Sequence, residues 1–372
     1  MKVIGIIAEY NPFHNGHKYH INKIKELYPD SILILVLNGY FLMRGEISIQ
    51  SKQAKTQIAL KNAVDLVIEL PFFFGSNSAD IFALSSVKIL NDLKCDLLIF
   101  GSESNDISLL KEMAKKQLSK GFNNKVKLLL KTGVNYPTAI GKSLSNNINN
   151  PNDLLGISYI KAIKMLKSKI IPETIQRTND YHDINSNDLI ISATNIRNKI
   201  NNNEKITNYL SEYSITKINR INRDLLFSLI KYQIITNPNL ANILSVDEGL
   251  DQKIIKTIMN ANSFEELNAK IKSKRYTYNR INRMLIHILI GLSKKDKEKH
   301  NLPEFIKVLG FNHHGQKYLN TIKKQSVILI SSKIPDCLIK DYELKVAKIY
   351  QMLTNEDVIK FENSNQPIIF DN

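Results

Sequence analysis

The stretch Ile4-Gly5-Ile6-Ile7-Ala8-Glu9-Tyr10-Asn11-Pro12-Phe13-His14-Asn15-Gly16-His17-Lys18-Tyr19-His20 decides how the chain is read. Its first half is apolar and rich in β-branched residues, the composition of a buried strand. Asn11-Pro12 is a turn dipeptide that ends it. From Tyr19 onward the apolar positions fall at Ile21, Ile24 and Leu27, a helical spacing. His14 and His17 therefore stand where a strand hands over to a helix. In a parallel α/β sheet that is the carboxyl edge, where ligands bind. The helix start also offers free backbone N–H groups and a partial positive charge to an anion.

The spacing His14-x-Gly16-His17 points to phosphate chemistry. Gly16 has no Cβ, so backbone and ligand can approach closely. Histidines three residues apart can both face an anion at the helix end. Donors aimed at a pentavalent phosphorus, or at departing pyrophosphate, lower a barrier without either ring acting as nucleophile. The plainer reading is a pair of histidines satisfied at a helix cap. Zinc is disfavoured, because two histidines supply only two of the usual four ligands.

Outward from this stretch, Ser31 to Leu37 is an apolar run fit for a central parallel strand. The loop Tyr40 to Glu46 brings Arg44 to the same edge, either as a partner for carboxylate or phosphate or as a solvated arginine. Helices are predicted over Lys52 to Asn62 and Ser78 to Leu93, and strands over Asp65 to Leu70, Cys95 to Phe100 and Ile170 to Gln176. Gly101 follows the fourth strand, where a glycine lets adenine or ribose lie on the backbone or simply makes a turn. Residues 106–142 read as helical and basic. Asn152 or Asp153 is a candidate cap for the next helix. The fifth strand delivers Arg177 and the segment Thr178 to Asp183 to the same edge. Ile191-Ser192-Ala193-Thr194-Asn195-Ile196-Arg197 then presents the hydroxyls of Ser192 and Thr194 at a helix start, with Arg197 projecting from its first turn. Successive βα units with short connections predict an α/β fold, a Rossmann-like doubly wound parallel sheet.

The chain has 372 residues, enough for two cores. A polar joint at Asn202-Asn203 places the boundary: 1–202 as the catalytic α/β domain, 203–372 as a mainly helical, basic domain without a βαβ rhythm. Residues 270–324 hold 14 Lys/Arg against 3 acidic residues. There Lys274, Arg275, Arg280 and Arg283 are interleaved with Tyr276 and Tyr278. Arginine forks suit phosphate and tyrosine rings suit an unpaired base; a solvated helix face has the same look. The net charge of +16 and pI near 9.5 favour a polyanionic partner, although abundant Lys, Ile and Asn is also what AT-rich coding sequence produces. His313-His314 lacks a third ligand at metal spacing. Cys95 and Cys337 lie far apart, no apolar run is long enough to span a bilayer, and no signal-peptide pattern is present, so a cytoplasmic protein is expected.

The motifs together resemble one family. Glu9 to His17, with Asn11 where most HIGH-motif nucleotidyltransferases have aspartate, is similar to the bacterial tRNA(Met) cytidine acetate ligases. Arg44-Gly45-Glu46, Asp65 to Pro71, Gly101-Ser102-Glu103, Asn152 to Tyr159, the Ile-Ser-x-Thr-x-Ile-Arg form at Ile191 to Arg197, and Val308 to Asn312 extend the likeness over nearly the whole chain. The resemblance implies an enzyme that makes acetyl-adenylate from ATP and acetate, then acetylates the wobble cytidine of elongator tRNA(Met). It implies an ATP site of Ile7, Ala8, Glu9, Tyr10, Asn11, Pro12, Phe13, His14, Asn15, Gly16, His17, Lys18, Tyr19 and His20 with Gly101, Asn152 and Arg177. His14 and His17 would be catalytic; Ser192, Thr194 and Arg197 would close over the triphosphate. Mg2+ is expected with ATP, with no protein metal site of its own. Residue chemistry by itself supports only the adenylation half. A small-molecule adenylyltransferase and a non-catalytic RNA-binding protein stay open, the first leaving the basic second half without a role and the second leaving the intact histidine motif unexplained.

Overall fold

Each apolar run read as a strand pairs into one sheet in the computed structural model, which describes residues 1–144, 150–177, 189–247 and 249–371. The strands are β1 Val3–Ala8, β2 Ile32–Asn38, β3 Leu66–Leu70, β4 Leu97–Ser102, β5 Ile171–Gln176, β6 Phe305–Asn312, β7 Leu329–Ser331 and β8 Ile368–Phe370. Their order is β5-β4-β1-β2-β3-β6-β7, with β8 also paired to β6. The strands from β1 to β5 are mutually parallel, with Val3 opposite Ile32 and Leu97 opposite Ile171. Every residue of β2 is buried, as a strand covered by helices on both faces requires. The order reverses at β1, which has β2 on one side and β4 on the other. That crevice is where a doubly wound sheet receives a ligand.

The helices on the far side of β4 form a stack. Helix Ala79–Asp92 packs on helix Pro151–Met165, which in turn carries helix Ile107–Gln117.

Beyond residue 202 the expected absence of a βαβ rhythm is corrected. β6 adds antiparallel to β3, Leu66 facing Phe311. β6, helix His313–Lys323 and β7 then make a parallel βαβ unit. The signal was masked by Lys307, which interrupts the apolar run of β6 yet is buried. Its ammonium lies 2.7 Å from Glu362 and 3.0 Å from Glu69.

Those groups belong to a buried network that joins the two halves of the chain. Lys52 pairs with Glu69 and, at 2.8 Å, with Glu362, while the Tyr40 hydroxyl donates to Glu362 at 2.8 Å. Burial alone would raise the Glu362 carboxyl, but Lys52 and Lys307 outweigh it and hold the group down to about 2. Glu343 lies 3.8 Å from Lys52; burial, then the Glu69 charge, push it well above the usual carboxylate range. With Glu343 protonated, two ammonium groups face two carboxylates and the network is neutral, which is how buried charge is tolerated.

Candidate active site

A cavity of about 280 Å³ opens at the carboxyl ends of β1, β4 and β5. Of the expected nucleotide residues, Ile7, Ala8, Glu9, Tyr10, Asn11, His14, Gly16, His17, Tyr19, His20, Gly101, Asn152 and Arg177 line it, as do Arg44, Ser192, Thr194 and Arg197. Pro12, Phe13, Asn15 and Lys18 stand outside the lining. Phe13 is buried and its N–H donates to Gln50 Oε1 at 3.0 Å. The Asn15 amide donates to the carbonyls of Leu189 and Asn208, both at 2.9 Å. Lys18 is exposed.

The two histidines cap their own helix. His14 is the N-cap of helix Asn15–Leu27, and its Nδ1 accepts the Gly16 N–H at 3.0 Å. His17, in the first turn, accepts the His14 N–H on its own Nδ1 at 3.2 Å. The arrangement is a capping box built from imidazoles. An Nδ1 that accepts carries no proton, so each ring holds its proton on Nε2. The rings lie 3.9 Å apart between centroids. Gly16 is required here, because a Cβ would come within 2.8 Å of His14 Cε1. Tyr10 takes a left-handed backbone (φ 47°), costing about 1 kcal/mol for a non-glycine residue. Its ring packs edge-on to His17 at 4.6 Å.

The expectation of free backbone N–H groups at this helix start is corrected. Asn15 N–H donates to Tyr209 O at 3.0 Å, Gly16 N–H to His14 Nδ1, and His17 N–H to His14 O at 2.8 Å. Side chains, and the helix dipole, are what remain for an anion.

Burial, then the Arg177 and Arg197 charges, push His14 down to about 3. Burial, then His14 and Arg177, push His17 well below its ordinary value. Both rings are therefore neutral hydrogen-bond donors at pH 7. His20 is pushed down to about 4 by burial and by Arg177. Two buried polar atoms at this edge, His20 Nε2 and Arg177 Nε, have no hydrogen-bond partner among the described residues, Arg177 Nε lying 4.0 Å from Glu103; a nucleotide oxygen is the kind of group that satisfies them.

Across the crevice, the loop after β4 and helix Pro151–Met165 clasp each other. Glu103 accepts the N–H groups of Asn152 and Asp153 at 3.3 and 3.0 Å and the Asn152 amide at 2.6 Å. Asp153 accepts the Glu103 and Ser104 N–H groups at 3.1 Å each. Neither Asn152 nor Asp153 is the N-cap, which is Asn150; the cap comes from Glu103, and a contact across that sequence distance leaves no local signal. Gly101 sits beneath Arg177, where a Cβ would meet Arg177 Cγ at 3.3 Å.

The third wall is the segment Ile191 to Arg197. Ser192 caps helix Ala193–Asn201 by accepting the Asn195 N–H at 3.2 Å. Thr194 Oγ1 accepts from Arg197 at 3.3 Å. Arg197 donates to the Asn11 carbonyl at 2.8 Å and pairs with Glu46 at 2.9 Å. The Asn11 amide also donates to Glu46 at 3.4 Å. An aspartate in place of Asn11 would set two carboxylates against each other, which accounts for the amide. In the sequence Glu46 stands out only as part of Arg44-Gly45-Glu46; its partnership with Arg197 spans 151 residues and leaves no local signal.

Beneath the cavity, buried Lys55 donates to the carbonyls of Glu9, Asn38 and Gly39 at 2.9, 2.7 and 2.7 Å. Burial drives its pKa down to about 7. The Glu9 carboxylate accepts from Met43 N–H at 2.7 Å and Asn38 Nδ2 at 2.8 Å, so the loops after β1 and β2 are locked together. Leu155 and Tyr159, from the Asn152 to Tyr159 stretch, also line the cavity, as does Phe82, which nothing in its sequence context marks.

The four basic candidates separate. Lys274 and Arg275 are exposed. Arg280 stacks on Tyr276 at 4.7 Å and pairs with Asp247 at 3.2 Å. Arg283 turns inward and donates to the Met43 carbonyl at 3.3 Å, with burial and Arg280 pushing its pKa down to about 10. It stands there because Gly45 (φ 72°) lets the cavity loop touch the helix backbone; a Cβ would lie 2.3 Å from Arg283 N. The segment Thr178 to Asp183 lies outside the described residues. Among the described residues no group of three His, Cys, Asp or Glu side chains could hold a metal ion, and no helix is long and apolar enough to cross a membrane.

A parallel sheet with this histidine motif at its switch point defines a nucleotidyltransferase, and the family model described as HIGH Nucleotidyl Transferase matches residues 1–366. The tRNA(Met) cytidine acetate ligase of Fusobacterium nucleatum is 38% identical over 99% of this chain and 98% of its own length. That of Bacillus subtilis is 35% identical over 96% and 93%. Among solved structures, Thermotoga maritima TmcAL superposes with a TM-score of 0.91 at 27% identity, and its form bound to alpha-thio ATP with 0.88, each over 100% of both chains. The chain belongs to the tRNA(Met) cytidine acetate ligase family.

Proposed function

We propose that this chain activates acetate with ATP and passes the acetyl group to the N4 amine of the wobble cytidine of elongator tRNA(Met). The observation that carries the reading is the reciprocal capping of His14 and His17, which fixes two neutral Nε2–H donors at the switch point of the sheet.

The first step joins an acetate oxygen to the α-phosphorus of ATP and breaks the bond from that phosphorus to the β-phosphate bridge. The products are acetyl-adenylate and pyrophosphate. Charge grows on the non-bridging oxygens and on the leaving group, and fixed donors stabilise it most when they need not reorganise. His14 and His17 act in this way, held by their own backbone. Arg197 and Arg177 supply positive charge on either side, and His20 offers the remaining donor or acceptor. Magnesium enters as part of the nucleotide substrate. In the second step the cytidine N4 attacks the acetyl carbonyl, the carbonyl–phosphate bond breaks, AMP departs and nitrogen loses a proton.

Gly101, Asn152 and Arg177 form the nucleoside side of the site in this reading. Ser192, Thr194 and Arg197 form the phosphate-closing side, with Ser192 acting through the helix it caps. Residues 1–202 supply the chemistry and the basic part of 203–372 supplies contacts to tRNA.

The test is exchange of labelled pyrophosphate into ATP with a panel of acids. Acetate should drive exchange well above a no-acid background. Exchange driven by a nucleotide-cofactor precursor and not by acetate would make the chain a small-molecule adenylyltransferase. No exchange with any acid would leave a nucleotide-fold RNA binder.

A further inference from the structure

The sequence between β4 and helix Pro151–Met165 folds as three helices, Ile107–Gln117, Lys120–Lys131 and Tyr136–Ser143, that line no part of the cavity. Residues 107–144 carry eight lysines and one glutamate. All eight lysines are exposed. Lys116 pairs with Glu112 at 2.7 Å, and the other seven have no carboxylate partner among the described residues. On helix Lys120–Lys131, Lys120, Asn124, Lys127 and Lys131 recur at helical spacing as one outward stripe, opposite buried Val126. The stripe runs ~16 Å along the helix. Unpaired like charges held this close reinforce one another's field, and neutralising them with a polyanion releases counterions.

The insertion is tied to the site and to the other basic segment. Helix Ile107–Gln117 rests on helix Pro151–Met165, whose Asn152, Leu155 and Tyr159 line the cavity. The Asn135 amide donates to the Lys274 carbonyl at 3.3 Å. Lysine-bearing surface thus continues from residues 120–131 to Lys274 and Arg275. Tyr136, 48% exposed, stands near that join, presenting a ring on which an unpaired base can stack.

We propose that the lysine-rich insertion 107–144 is a docking surface for the sugar–phosphate backbone of the RNA substrate, continuous with Lys274 and Arg275. The proposal rests on the tRNA acceptor of the function given above. Contacts of this kind position an RNA without reading its sequence, and they would bring the anticodon-bearing strand to the same side of the molecule as helix Pro151–Met165.

The experiment uses the full chain and an elongator methionine tRNA transcript. Affinity is measured across a potassium chloride titration for the parent, for Lys120→Ala/Lys127→Ala/Lys131→Ala, and for the matching triple arginine variant. Each phosphate contact contributes about 0.7 to 0.9 to the slope of log affinity against log salt. The alanine variant should lose about two units of slope and bind about tenfold or more weakly near 100 mM salt. The arginine variant should keep the parent's slope. Acetate-dependent pyrophosphate exchange should stay at the parent rate in both, which reports an intact fold. An alanine variant with the parent's affinity and slope overturns the proposal and leaves the surface to an acidic protein partner. A parent that exchanges pyrophosphate but binds no tRNA overturns the acceptor reading itself, a different failure.

Discussion

His14 and His17 hold each other in place: His17 Nδ1 accepts the His14 backbone N–H at 3.2 Å, and their rings stack with centroids 3.9 Å apart. Because the backbone takes both Nδ1 atoms, the structural and chemical duties of each ring fall on different nitrogens. His17→Ala removes an Nε2–H donor and one backbone partner together. Adenylate formation should fall by about two to three orders of magnitude, with a much smaller change in ATP affinity. His14→Asn keeps a side-chain oxygen for the Gly16 N–H, so it should lose the rate while melting within a few degrees of the parent. Single-turnover formation of acetyl-adenylate together with a thermal melt separates the two. Normal adenylate formation in either variant would remove the role assigned to the pair.

The lowered pKa values give a signed pH dependence. His14 is pushed to about 3 and His17 well below 6.5, so the folded protein keeps both rings neutral where the unfolded chain takes up protons. Stability from these groups is complete above about pH 6.5 and is lost as pH falls toward about 3. The kcat/KM for ATP in the exchange reaction, which reports the free enzyme, should show no loss on raising pH through 6.5. A limb lost upward near that value would mean that the rings work as imidazolium ions.

Arg197 bridges the walls through Asn11 O and Glu46. Arg197→Ala should raise KM for ATP by about tenfold or more, in line with a lost charge-assisted bond, and leave tRNA affinity unchanged. Equal loss of both in binding assays would point to misfolding.

Arg283 and Arg275 should behave differently although they lie in one basic run. Arg283 supports the Met43 carbonyl of the cavity loop. Arg283→Ala should therefore slow acetate-dependent exchange in the absence of tRNA. Lys274→Ala/Arg275→Ala, on exposed residues, should leave exchange alone and reduce the salt slope of tRNA binding by about one unit per lost contact. The reverse pattern would contradict the placement.

The buried network makes a stability prediction. Burial and the Glu69 charge favour the neutral form of Glu343, so Glu343→Gln should change stability by less than about 1 kcal/mol at pH 7, whereas Glu362→Gln leaves buried Lys52 and Lys307 to share the single carboxylate of Glu69 and should cost about 3 kcal/mol. Chemical denaturation of both variants decides the matter.

Much of the architecture was legible because each strand from β1 to β4 is a short, largely buried apolar run between turn residues. The histidine motif was legible because its chemistry sits in consecutive residues. What stayed hidden was long-range. Lys307 disguised β6 because its counter-charges, Glu69 and Glu362, come from elements far away in sequence. Glu103 as the cap of Asn152 and Asp153, and Arg283 as a brace for Met43, are likewise contacts between separate loops and helices. The helix start at Asn15 differs in the opposite sense: its N–H groups read as free in the sequence, yet the Tyr209 carbonyl takes the first and His14, one of the histidines that suggest an anion site, takes the next two.

The most direct test of the whole account is analysis of the tRNA product. The purified chain is incubated with ATP, labelled acetate and elongator methionine tRNA, and the RNA is digested to nucleosides and mapped by mass spectrometry. The account predicts one labelled N4-acetylcytidine per tRNA, at the wobble position, formed with one AMP and one pyrophosphate released, and none with His17→Ala. Acetyl-adenylate that accumulates while every cytidine of the tRNA stays unmodified would contradict it.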